Sequence, residues 1–168
     1  MKRSSSKHHR SAASLALATL TVLALAAAAS AGEQVPFKGS LEGSFTSTPI
    51  PGTPNALVAA RGTGNATQLG NFSFDFPLTV NVVLQTGSGN YEFTAANGDT
   101  VFADVVAQSS LLPNGLRRVT ETGTITGGTG RFDGAIGSFT CERFLDRATG
   151  EVTGSFNGTI SSPGAANP

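Results

Sequence analysis

The sequence predicts an all-β protein, an eight-stranded antiparallel β-barrel, and three observations carry that prediction. Apolar residues recur at every second position in segment after segment, the period of a half-buried strand. Clusters of Gly, Pro, Asn and Asp punctuate these segments at spacings short enough for hairpins. From Gly32 onward nothing has the 3.6-residue period of a helix that would cross over between parallel strands, so the strands run antiparallel. Eight such strands can close on themselves, which removes the exposed edges that invite aggregation. A barrel of that size is either filled by side chains or just wide enough for one small ligand. A two-sheet β-sandwich is the alternative architecture for the same pattern.

The chain begins with a leader rather than a strand. Lys2, Arg3, Lys7 and Arg10 form a positive region, Leu15 to Ala29 is a short apolar run, and Ala29-Ser30-Ala31 is a small-x-small cleavage site. That is the layout of a Sec-type secretory signal peptide over residues 1–31. The apolar run falls short of the ~20 residues a spanning helix needs, so no stable membrane insertion is expected after cleavage. The domain is expected over residues 32–160 and a flexible polar tail over 161–168.

Within the domain, Phe37, Gly39, Leu41, Gly43 and Phe45 alternate with polar residues as a first strand. Thr48 to Asn55 holds three prolines and reads as a loop long enough to flap over an opening. Leu57 to Thr67 is the second strand. Phe72, Phe74, Phe76, Leu78, Val80, Val82 and Leu84 then share one face of a long third segment. Pro77 predicts a bulge or an edge within it, because proline cannot donate to a ladder. Gly87-Ser88-Gly89 predicts the next turn, and Tyr91, Phe93 and Ala95 one face of the strand after it. Asn97-Gly98-Asp99 is a hairpin signal. Thr100 to Ser110, a turn at Pro113-Asn114-Gly115, and Leu116 to Thr126 follow. Phe139 to Asp146, a turn at Ala148-Thr149-Gly150, and Val152 to Ile160 complete the eight.

Composition excludes several chemistries. Both His residues, His8 and His9, and four of the 11 basic residues lie in the leader, so the chain from Gly32 on has seven basic against 11 acidic residues, a net of −4. That balance argues against nucleic acid as a partner. With no His and the single Cys141, neither a Ser-His-Asp nor a Cys-His device can be built there. Cys141 cannot form an internal disulfide and reads as a small buried apolar residue, with intermolecular pairing as the alternative. No acidic spacing matches a calcium loop, so no metal and no cofactor are expected. Asp75, Glu92, Asp104 and Glu121 would be the carboxylates for glycoside hydrolysis, but nothing marks two of them as a pair.

The segment Gly127-Gly128-Thr129-Gly130-Arg131-Phe132, continuing through Gly134 to Gly137, invites a phosphate-loop reading. Its spacing refuses it: Asp133 stands where a dinucleotide fingerprint needs glycine, and no Gly-Lys-Ser/Thr follows. Gly127, Gly128, Gly130, Gly134 and Gly137 are therefore a structural turn, the corner where the barrel closes. This segment resembles the glycine-rich segment of dirigent proteins and of the allene oxide cyclase-like barrel superfamily, including its small secreted bacterial members. Gly62-Thr63-Gly64, the Phe93 to Asp99 hairpin and Gly158-Thr159-Ile160 extend the resemblance over most of residues 37–160. It implies an eight-stranded antiparallel barrel, often oligomeric, with an apolar pocket. Dirigent proteins bind phenoxy radicals and orient their coupling, and the cyclases fold a fatty-acid epoxide. Function is not carried over with a fold.

Two charges stand out. Glu121 shares a strand face with Val119 and Ile125, and Arg143 shares one with Phe139, Cys141 and Leu145. A buried charge needs a partner, so an Arg143–Glu121 contact is expected inside the barrel. With Phe72, Phe74, Phe76, Tyr91 and Phe93 these form the candidate ligand-binding set. The favoured function is a secreted barrel that binds a small apolar molecule and orients its reaction. The alternatives are an isomerase or cyclase using Glu121 and Arg143, and a filled barrel with an interaction role; a homo-oligomer is compatible with all three.

Overall fold

The computed structural model describes residues 33–161; the signal-peptide assignment falls outside the described residues, and so does the tail beyond 161. Eight strands follow one another: β1 Gln34–Pro49, β2 Asn55–Ala66, β3 Gly70–Asn81, β4 Thr86–Ala95, β5 Thr100–Leu111, β6 Arg117–Gly128, β7 Gly137–Asp146 and β8 Glu151–Ser161. Each pairs antiparallel with the next, and β1 pairs with β8 from Gln34 opposite Ser161 to Ser44 opposite Glu151. That last ladder closes the barrel and rules out the open two-sheet sandwich.

Period-two alternation sets the inside. Odd positions of β1, β4, β5, β6 and β7 and even positions of β2, β3 and β8 are buried. The faces carrying Phe37, Phe74, Tyr91, Val105, Cys141 and Phe156 all meet in one core. At one end the rings of Phe37, Phe72, Phe93, Phe139 and Phe156 pack with centroids 4.9 to 6.0 Å apart, mostly tilted or edge-on. The glycine-rich corner caps that end: Gly130–Phe132 makes one 3-10 turn, with Phe132 fully buried beneath it. Gly130 has φ +58, and a Cβ there would strike the Asp99 carboxylate, whose Oδ2 accepts from Arg131 N at 3.4 Å. The glycine thus lets the corner sit against the β4–β5 hairpin.

Several expected boundaries shift. β1 reaches Pro49, which pairs with Ala56, so the proline-rich loop shrinks to the short connection 50–54. Pro77 causes no bulge: the β3–β4 register is the same before and after it, and only the pairing at Phe76 and Pro77 lapses. A bulge instead separates Phe102 from Ala103, opposite the glycines at the end of β6. Gly87, Ser88 and Gly89 belong to β4 rather than to a turn. The turn comes earlier, at 82–85, so Val82 and Leu84 leave the strand and are exposed. Ser161 belongs to β8 rather than to a tail, and it exchanges hydrogen bonds with Ile136 at 2.7 and 3.1 Å. No helix among the described residues is long and apolar enough to cross a membrane.

Candidate functional site

The chain brings Tyr91, Glu121 and Arg143 together inside the barrel, from β4, β6 and β7. Arg143 and Glu121 are each 1 % exposed. Arg143 Nε donates to Glu121 Oε2 at 3.0 Å, and its Nη2 donates to Glu121 Oε1 and, at 2.8 Å, to the Tyr91 hydroxyl oxygen. The Tyr91 hydroxyl donates in turn to Glu121 Oε1. The guanidinium therefore meets the carboxylate side-on, the strong bidentate form of the pair. Tyr91 lies flat on Phe76, with ring centroids 3.7 Å apart and 8° between planes, which holds its hydroxyl in place. Gly154, opposite Arg143 on β8, makes room for the side chain, because a Cβ there would come within 2.7 Å of Arg143 Cγ.

Burial and charge act together here. Burial above all pushes the Tyr91 hydroxyl well above its ordinary value; Arg143 pulls it down and Glu121 pushes it up again, so it stays protonated. Burial works against the charge on Arg143, but the Tyr91 oxygen and the Glu121 carboxylate outweigh it and the guanidinium is held above its usual range. Cys141, facing Glu121 across the β6–β7 ladder, is buried and unpaired, and its thiol is raised first by burial and then by Glu121.

The ladder also sets depth. Glu121 lies opposite Cys141, Arg143 opposite Val119 one layer nearer the uncapped end, and Arg117 opposite Leu145 one layer further out. At that end the core stops short and leaves a small open cavity of about 70 Å3. Leu78, Val80, Val119 and Leu145 form much of its wall, and Arg143, Arg117, Arg147, Gln85 and Ser109 supply polar groups. No Asp, Glu or His is among the lining residues. Because Arg143 spends its Nε and Nη2 edge on Glu121 and Tyr91, its Nη1 is left buried with no partner, and Arg117 Nε is likewise buried and unpartnered. An unmet buried donor costs about 1–3 kcal/mol, more when charged, so these two N–H groups mark the polar part of the cavity wall. The 82–85 turn, tied by Asn81 Oδ1 accepting from Val83 N at 3.0 Å and Leu84 N at 2.9 Å, exposes Val82, Val83 and Leu84 to solvent and brings Val82 and Gln85 to the cavity wall.

Of the seven candidate residues, Arg143 is in the cavity wall. Phe72, Phe74, Phe76, Tyr91, Phe93 and Glu121 are buried in the barrel interior, and the expected Arg143–Glu121 contact forms. Asp75 pairs with Arg61 on the outer surface at 2.9 Å, beside Glu92 across the ladder, and Asp104 accepts from Asn90, so three of the four acids weighed for hydrolysis face outward. Among the described residues no three His, Cys, Asp or Glu side chains gather as a metal site. Sequence reasoning passed over Arg117, although it shares the inward face of Val119 and Glu121, the same signal that singled out Glu121. Gln85 and Arg147, in turns, carried no such signal.

The chain is similar in structure to a pterocarpan synthase dirigent protein, at a TM-score of 0.56 and 13 % identity, covering 92 % of this chain and 98 % of that one. No family model matches the chain, and no curated protein matches it in sequence. The likeness is one of fold: an all-β, dirigent-like barrel closed by eight antiparallel strands.

Proposed function

We propose that this dirigent-like barrel binds a small, mostly apolar molecule through its uncapped end and holds it in one orientation. The carrying observation is the cavity itself: apolar walls, with a half-partnered guanidinium at the floor. Apolar pockets with few placed polar groups are the usual form of small-molecule sites. Orientation alone can steer a reactive ligand and needs neither acid nor base, which suits a wall that has no carboxylate and no His. The leader over residues 1–31 would deliver the protein outside the cytoplasm.

The test is titration of the protein with the neutral fluorophore N-phenyl-1-naphthylamine, alongside Ala107→Phe and Val80→Phe, which fill the cavity from two walls. Binding should weaken about tenfold or more, ~1.4 kcal/mol, in both. Undiminished binding in both variants would remove the uncapped end as the site. Native mass spectrometry of protein from its own secreted fraction would then identify the natural ligand as an added mass.

A second reading, an isomerase or cyclase using Glu121 and Arg143, draws support from the same guanidinium, which would stabilise negative charge developing on a bound oxygen. Glu121 would then act through Arg143 as a positioning residue. Turnover of the identified ligand that survives Arg143→Lys, with fluorophore binding intact, would end that reading.

A further inference from the structure

We infer that the occupant of this cavity is a compact organic anion, an apolar body bearing one carboxylate, which enters head first and docks on Arg143 and Arg117. The inference rests on the reading of the uncapped end as a ligand cavity and adds the charge and direction of what fills it. Arg143 Nη1 and Arg117 Nε are both buried, lack a partner, and belong to residues in the cavity wall. The wall has three arginines and no acid, although the chain from Gly32 on is net −4. Glu121 neutralises one of the three from behind. Arg117 bonds only neutral groups, its Nη1 donating to Ser109 Oγ at 3.0 Å and to Gln85 Oε1 at 3.5 Å. Net positive charge thus lies along the cavity wall, at Arg117 and Arg147, within a chain that is otherwise acidic.

The chemistry of the donors selects the anion. A guanidinium edge offers N–H groups in one plane, matched to the two oxygens of a carboxylate. Burial, and then the charge of Arg147, pull Arg117 below its ordinary value, as expected of a cation short of counter-charge. An anion there would supply that charge and the missing acceptors together. Depth sets the direction. Arg143 lies deepest and Arg117 one layer out, while the exposed Val82 lines the outer part of the cavity, so the carboxylate goes in first and the apolar body trails toward the rim.

Calorimetric titration of the full secreted chain with 2-naphthoate and with 2-naphthamide, equal in shape and different in charge, tests this. Naphthoate should bind about tenfold or more tightly than the amide. Arg117→Met should narrow that ratio several-fold, and Ala107→Phe should weaken both probes. Acetate, charge without body, should not displace naphthoate at comparable concentration. Equal affinities for the two probes overturn the anion inference and leave the apolar cavity standing. A ratio unchanged in Arg117→Met also overturns it, since the carboxylate then docks elsewhere. No binding of either probe, with N-phenyl-1-naphthylamine also unbound, overturns both this inference and the reading beneath it.

Discussion

A buried ion pair is costly to assemble and costlier to break. Glu121 and Arg143 have surrendered their hydration, and each is satisfied chiefly by the other. Glu121→Gln leaves a buried cation without counter-charge, and Arg143→Met leaves a buried anion beside Tyr91; each should cost about 3–5 kcal/mol in urea unfolding. The double variant removes both charges and should cost less than either single change. Additive costs would show that the two charges do not stabilise each other. Tyr91 and Cys141 make a second test, at alkaline pH. Both have folded values above their ordinary 10.0 and 9.0, so the folded protein keeps protons that the unfolded chain releases. Stability is therefore full below pH 9 and falls as pH rises past 9 and then 10, by up to about 1.4 kcal/mol per unit for each group. Thermal midpoints between pH 8 and 11 would show this, and Tyr91→Phe should make the part above 10 shallower, leaving the Cys141 slope. A flat profile in the parent would mean that the hydroxyl is not shielded from water.

The strands were legible because a half-buried barrel wall leaves its period in the chain. The same alternation that placed Phe74 inside and Asp75 outside also isolated Glu121 and Arg143 as charges on apolar faces. The turns were less legible, because glycine serves two ends. At Gly98 and Gly115 it supplies a positive φ in a hairpin, as expected. At Gly89 it lets strands crowd together, since a Cβ would fall 2.0 Å from Pro77 O, and a strand glycine passed for a turn. The true turn lies at Gln85, which takes φ +57 without being glycine. Val82 and Leu84 extend the apolar period of β3 past its end, and nothing local distinguishes a rim from a core. The cavity was illegible for a related reason. It arises where facing side chains from distant strands fail to meet, and that depends on register across the barrel rather than on any one segment.

At the scale of the whole molecule, tight packing and open space are segregated to opposite ends. The capped end holds the aromatic cluster, in which Phe156 has Phe37, Phe93, Phe139 and Phe72 within 6.0 Å by ring centroid. The other end gives up packing to an open cavity walled in part by Val80, only partly buried. Truncation of a core aromatic costs the transfer of its ring and a cavity besides, so Phe156→Ala should cost about 3–5 kcal/mol, much of what a domain this size has to spare. Val80→Ala removes methyl groups that already border open space, so there is no tight void to create and the cost should stay below about 1.5 kcal/mol. Urea unfolding of the two variants compares the ends directly. Comparable losses would mean that the Val80 end is packed as tightly as the aromatic end, with no room for a ligand. A wide gap would support a barrel that folds around one end and leaves the other free to bind.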